Sequence, residues 1–125
     1  MRPEAVEAML PYFSERFANP SGSHRFAREA RAAVDDAREV VASVVGCAPG
    51  EVVFTSGGTE GDNTAVLGVV AQRGGTAVCP AAEHHAVLAP VEQVHGTEVA
   101  VTATGAVDLD ALRDALRRRD DVSVV

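Results

Sequence analysis

The sequence predicts an α/β fold, a mainly parallel sheet covered by helices on both faces in three layers. Two observations carry this reading. From Val52 onward, short apolar runs alternate with helical stretches, in the order strand, helix, strand, helix, strand, helix, strand. The length, 125 residues with 46% hydrophobic content, suits one globular domain or one piece of a larger one.

Pro3 to Met9 reads as a short helix with proline in its tolerated first turn and Glu4 near the positive end of the dipole; Pro11 is expected to end it. After the turn-like Asn19-Pro20-Ser21-Gly22-Ser23, an amphipathic pattern runs from His24 to Val45. Phe26, Ala30, Ala33, Ala37, Val41 and Val44 recur along it at spacings of three and four. Gly46 stands where a C-terminal cap belongs. The expected strands are Val52 to Thr55, Thr76 to Cys79, Glu98 to Thr102 and Val122 to Val125, with helices at Thr59 to Gln72, His85 to Val94 and Asp108 to Arg118. The last helix places Leu109, Leu112 and Leu116 on one face, carries acidic residues in its first turn and arginines at its end, and reads as a packing element. This divides the chain into a helical segment, 1-46, and an α/β segment, 47-125.

A net charge of -7 argues against a nucleic-acid partner, since phosphate backbones select basic surfaces; the one dense basic run, Arg117 to Arg119, suits a helix C-terminus. Two cysteines, Cys47 and Cys79, make neither a disulfide framework nor a zinc pattern, so a reducing cytoplasm is the expected compartment. No apolar stretch approaches the roughly 20 residues that span a bilayer, and no secretory signal is evident, so no membrane partner is expected. All eleven basic residues are arginine. A coding bias toward G and C explains this on the surface, but a guanidinium cannot replace an amine that must form a Schiff base.

The segment Val52-Val53-Phe54-Thr55-Ser56-Gly57-Gly58-Thr59-Glu60 reads as a strand entering a glycine turn and then a helix. Glycines let a ligand approach the backbone, and the free N–H groups of a helix start receive an anion such as phosphate, with Thr59 adding a hydroxyl. Taken alone, the segment reads equally as a tight turn with Thr59 capping the helix. A Walker A loop is excluded because no Gly-Lys-Ser/Thr ending exists, and Gly57, Gly58 and Gly61 give G-G-x-x-G where a dinucleotide fingerprint needs G-x-G-x-x-G. Ser56 lacks the flanking of a nucleophile elbow. Glu83-His84-His85 follows the strand ending at Cys79 and can lie on the same rim of a parallel sheet as the glycine turn. His84 could there cover a flat aromatic cofactor and exchange protons, or serve only as a helix-start residue bonding backbone. Adjacent His84 and His85 diverge on a helix and make a poor metal pair.

Three segments together resemble consecutive motifs of cysteine desulfurases in order and spacing. They are Asn19-Pro20-Ser21-Gly22-Ser23-His24-Arg25-Phe26, Phe54-Thr55-Ser56-Gly57-Gly58-Thr59-Glu60-Gly61-Asp62-Asn63 and Glu83-His84-His85-Ala86-Val87-Leu88. Val107-Asp108-Leu109-Asp110-Ala111-Leu112 continues the match, so nearly the whole chain is covered. The resemblance implies a class V aminotransferase, with the truncated large domain of fold type I pyridoxal-phosphate enzymes. It implies that Gly58 and Thr59 bind the phosphate of pyridoxal 5'-phosphate, and that His84 stacks on its ring and assists proton transfer as the catalytic residue.

The same resemblance implies L-cysteine as substrate, alanine as product, and a persulfide passed to a sulfur-acceptor or scaffold protein for iron–sulfur cluster or thio-cofactor assembly, in a homodimer. A selenocysteine lyase or related class V enzyme is the alternative within enzymes. A non-catalytic phosphate-binding or interaction module is the alternative outside them. The family's opening Leu-Asp-Asn-Ala-Ala-Thr-Thr-Pro segment, its Schiff-base lysine, its ring-nitrogen aspartate and its catalytic cysteine are absent from the 125 residues. Ala27 stands where glycine is frequent, and Gly61 where alanine or serine is. The expectation is an N-terminal fragment, with Met1 a candidate misassigned start, that makes only non-covalent contacts with the cofactor and is inactive alone.

Overall fold

The computed structural model describes residues 1–125 and divides into two compact units, Met1–Phe54 and Thr55–Val125. No helix is long and apolar enough to cross a membrane.

The first unit is helical. Helix α1 (Pro3–Met9) ends before Pro11, which then opens a second short helix, α2 (Pro11–Ser14), because proline's fixed φ suits a first turn as well as it ends a preceding one. The turn at Asn19 is closed by its own side chain, whose Oδ1 accepts from the Ser21 N–H at 2.9 Å, and by its carbonyl, which accepts from Gly22 N–H at 3.1 Å. Gly22 lies so close to the fully buried Ala27 that an added Cβ would sit 2.9 Å from the alanine methyl. Helix α3 (Arg25–Val45) starts at His24, whose Nδ1 accepts from Ala27 N–H, and ends at left-handed Gly46, whose N–H and that of Cys47 both bond the Ala42 carbonyl. Arg38 donates through Nε to the Val52 carbonyl and through Nη1 to Asp35, and its guanidinium lies 5.7 Å from the Phe54 ring centroid.

The apolar stripe expected along α3 forms a helix but is not a buried face. Ala27 and Ala42 are its buried residues, whereas Phe26 and Val41 are exposed and Val44 is 83% exposed. Periodicity reports which side of a helix is apolar; it does not supply the surface that covers it. The expected strand Val52 to Thr55 is likewise corrected. Val52 has extended angles, but no strand pairs with this stretch, and Val53 and Phe54 are exposed. Extended apolar residues become a strand only when a neighbour takes their backbone hydrogen bonds.

The second unit is α/β. Helix α4 (Gly58–Arg73) leads through Gly74 and Gly75 to β1 (Thr76–Pro80), then α5 (His85–Gln93), β2 (Thr97–Val99), α6 (Leu109–Arg118) and β3 (Val122–Val124). The sheet has three strands in the order β2-β1-β3, all parallel, with Cys79 opposite Glu98 and Thr76 opposite Val122. The chain steps from β1 to β2 and then back past β1 to β3, and by the right-handed rule for such crossovers α5 and α6 belong on opposite faces. The expected strand to Thr102 stops at Val99; Val101 instead pairs with Val107 in an isolated antiparallel bridge.

Central strand β1 is buried along Thr76 to Cys79. Ala77 and Cys79, two residues apart and so on one face, pack with Val66 of α4 and Val91 of α5. The buried Thr76 hydroxyl donates to the Val94 carbonyl at 2.8 Å. Helix α6 is capped by Asp108, whose Oδ1 accepts from Asp110 and Ala111 N–H. Leu109 and Leu116 remain exposed, while Ala111 and Ala115 face a groove along β2. Arg119 leaves the helix to form a two-pronged pair with Asp121 and to donate to the His95 carbonyl, joining the two loops that enter β2 and β3.

Gly96 sits against β1 and α5, where an added Cβ would run into the Ala77 carbonyl oxygen and the Val91 side chain. G96A therefore lowers stability by about 1–3 kcal/mol. An added Cβ at Gly58 meets nothing within 4 Å. G58A, inside a helix, shifts stability by no more than about 1 kcal/mol and in the favourable direction. Urea midpoints of the two variants check both values.

Candidate functional site

Helix α4 turns back into β1 through two glycines and therefore runs opposite to it, so its start lies at the rim where β1 ends. Helix α5 starts at that same rim, five positions after Pro80. The sheet topology thus brings Gly58-Thr59 and His84 to one edge, although 25 positions separate Thr59 from His84 in the sequence.

The start of α4 has no side-chain cap. Gly57 is the N-cap, with fully extended angles, and Gly61 N–H makes the first backbone bond of the helix, to the Gly57 carbonyl at 3.1 Å. The N–H groups of Gly58, Thr59 and Glu60 precede that ladder and have no partner within it. On the side-chain side of Gly57 and Gly58 the space is open: apart from chain neighbours and the helix's own backbone, no atom lies within 4 Å of a Cβ built on either. Glu60, whose carboxylate could fold over these donors, is held elsewhere. Its Oε2 accepts from Ser56 N–H at 2.7 Å and from Ser56 Oγ at 2.6 Å. These bonds, the hydroxyl's first and the backbone's second, hold the Glu60 carboxyl below the ordinary glutamate range. Thr55 Oγ1 completes the turn by donating to the Gly57 carbonyl.

His84 is the N-cap of α5 and is exposed. Its Nδ1 accepts from Ala86 N–H at 3.1 Å, so in this arrangement the ring hydrogen resides on Nε2, which points away from the cap. The two alternatives open in the sequence, backbone cap and ring-covering imidazole, are compatible: the cap engages one ring nitrogen of an exposed residue. The His85 ring lies 6.4 Å from that of His84 at a steep angle. Asn63, which sequence reasoning quoted within a motif without a role, donates to the Thr59 carbonyl at 2.9 Å and to the Ala86 carbonyl at 3.0 Å. It links the two helix starts directly.

Cys79 lies beneath this rim, buried in the β1 core with its thiol unpaired. Burial foremost, and then the carboxylates of Glu98 and Glu83, push the thiol above its ordinary value. It is a packing residue and a poor nucleophile.

The family described as aminotransferase class V matches residues 1–125. The chain belongs to that family. Membership implies pyridoxal phosphate as cofactor, and the uncapped helix start with open space before its glycines fits the phosphate end of that group. A cysteine desulfurase IscS of Dictyoglomus turgidum is 42% identical over 126 residues, which cover 94% of this chain and 32% of the relative. A putative cysteine desulfurase IscS 1 of Bacillus subtilis is 41% identical over 133 residues, covering 100% of this chain and 35% of the relative. The chain spans about a third of the length of the curated relatives it matches.

Among solved structures, a NifS-like protein superposes with a TM-score of 0.82 at 29% identity, over 98% of this chain and 35% of that one. SspA in complex with cysteine superposes with a TM-score of 0.80 at 31% identity, over 98% and 37%. The expected fold, that of the pyridoxal-phosphate aminotransferases with a parallel α/β sheet, is the fold found, and the resemblance to cysteine desulfurases holds along the whole chain.

Two outcomes follow. In a carboxyl-carbon NMR titration, Glu60 protonates below the ordinary glutamate value and S56A moves its midpoint upward; the contact is therefore complete above the ordinary range and is lost as pH falls through the lowered midpoint. With iodoacetamide near neutral pH, Cys79 is alkylated at least about tenfold more slowly than the half-exposed Cys47, as timed peptide mapping will report.

Proposed function

We propose that this chain supplies the phosphate seat and the ring-covering imidazole of the pyridoxal-phosphate site of a cysteine desulfurase. The observation that carries the reading is the uncapped start of α4, with its free N–H groups and open glycine front, on the same rim as an oriented His84. Gly58 and Thr59 N–H, with the Thr59 hydroxyl, bind the cofactor phosphate, and the positive end of the helix dipole adds to the attraction. His84, with Nδ1 engaged by Ala86 N–H, would cover the cofactor ring and hold a proton at Nε2. When bound, pyridoxal phosphate supplies an electron sink for chemistry at the carbon bearing the substrate's amine. The seat and the imidazole hold that ring in one orientation.

The substrate is L-cysteine: its C–S bond breaks as its sulfur bonds to an acceptor cysteine thiol, giving a persulfide, and the carbon skeleton leaves as L-alanine. The sulfur goes to an acceptor or scaffold protein in iron–sulfur cluster or thio-cofactor assembly, and the working form is a homodimer in the cytoplasm. The curated relatives named cysteine desulfurase support this reaction class. The 125 residues contain no lysine, so within them the cofactor is held by non-covalent contacts and desulfuration needs an amine supplied from elsewhere. Residues 47-125 belong to the cofactor domain and 1-46 to a helical segment that precedes it.

A second reading, a phosphate-binding module without catalysis, is favoured by that same lack of lysine. Titration separates the readings. Calorimetry is expected to show pyridoxal phosphate binding at least about tenfold more tightly than phosphate-free pyridoxal, with T59A reducing that preference by about tenfold and H84A weakening both aldehydes. Equal affinity for the two would overturn the phosphate assignment. Alanine release from L-cysteine, with sulfide release when a thiol reductant is present, absent with the chain alone and present when a lysine-bearing segment is added, decides between enzyme and module.

A further inference from the structure

Beside the apolar contact of α4 with α5, one half-buried side chain donates to both helices. Asn63 Nδ2 bonds the Thr59 carbonyl in its own helix at 2.9 Å and the Ala86 carbonyl in the first turn of α5 at 3.0 Å. Both partners only accept, so the amide nitrogen must face them and the flipped orientation is ruled out.

Ala86 has a particular need for this donor. In an α-helix its carbonyl would receive the N–H of residue 90, and residue 90 is a proline inside α5, with no N–H to give. Ala86 and Pro90 are both buried, so water cannot easily take that place. Asn63 fills from α4 a vacancy that Pro90 leaves in α5. The bonds then run without a break: His84 Nδ1 accepts from Ala86 N–H, the Ala86 carbonyl accepts from Asn63, and Asn63 donates again to the Thr59 carbonyl.

We propose that Asn63 is a positioning residue, a tether that fixes the imidazole of His84 relative to the anion seat at Thr59, with Pro90 as the element that obliges α5 to accept the tether. The inference rests on the reading of Gly58, Thr59 and His84 as cofactor contacts. Phosphate alone needs only the seat. A ligand that carries both a phosphate and a flat ring needs the seat and the imidazole at one separation, and the tether acts on that second requirement.

The pair also separates positioning from mere stability. N63L leaves the Ala86 carbonyl buried and unpaired and lowers the urea midpoint. N63L/P90A returns an N–H to residue 90, satisfies that carbonyl within α5 and recovers the midpoint, yet leaves the two helix starts untied. Wild type, P90A and N63L/P90A are each titrated with inorganic phosphate and with pyridoxal phosphate, and circular dichroism is read in the cofactor's absorption band. The expected result for N63L/P90A is an unchanged affinity for inorganic phosphate, about tenfold weaker binding of pyridoxal phosphate and loss of most of the cofactor-band dichroism, with P90A close to wild type. Wild-type values of both in N63L/P90A would overturn the positioning role. Should the wild-type chain itself bind pyridoxal phosphate no more tightly than inorganic phosphate, the cofactor reading fails and the proposal with it. That failure is visible before Asn63 is altered.

Discussion

Parallel strands cannot be joined by a tight turn, and that constraint organises everything from Thr55 to Val125. Each return to the sheet requires a helix running opposite to the strands, so every helix starts at the rim where strands end. The start of α4, the start of α5 and the carboxyl end of β1 meet there. Helix starts carry unpaired N–H groups and strand ends carry loops free to vary. A parallel sheet therefore gathers anion donors and chemically active side chains on one edge with no further instruction.

The two helix starts at that edge are finished in different ways, and the difference assigns them different work. Helix α5 is closed by the imidazole of His84, which gives up one ring nitrogen to the backbone and gains a defined orientation. Helix α4 is left open: Gly57 has no side chain to offer, and Ser56 holds the Glu60 carboxylate aside with two hydrogen bonds. A carboxylate in the first turn ordinarily complements the helix dipole. Here it does so from the flank, bonded to Ser56, and leaves the N–H groups of the first turn uncovered.

Much of this was legible in the sequence, for identifiable reasons. Gly46, Asp108 and the helix at Arg25–Val45 follow from local rules of capping and periodicity, and the three parallel strands follow from the alternation of short apolar runs with helical stretches. The glycine turn and His84 stood out because their residue types are unusual in plain packing. Local rules failed where the outcome depends on a distant partner. Val52 to Thr55 has strand composition without a neighbour, and the valines of α3 have helical spacing without a covering surface. Nothing local marks Asn63, because its bond to the Ala86 carbonyl spans 23 positions. A proline predicted inside a helix was the available clue, since it announces a carbonyl that some other donor must satisfy.

Leaving α4 uncapped also ties occupancy to folding. A missing N-terminal cap typically forgoes about 1 kcal/mol of stability, which an anion seated there, as proposed, would restore from outside the chain. At a ligand concentration one hundred times the dissociation constant, mass action adds about 2.7 kcal/mol to the folded state. On the proposed reading, the chain's resistance to unfolding and proteolysis would follow the concentration of the phosphate compound around it, and the open helix start would be the point where cofactor supply is converted into protein lifetime.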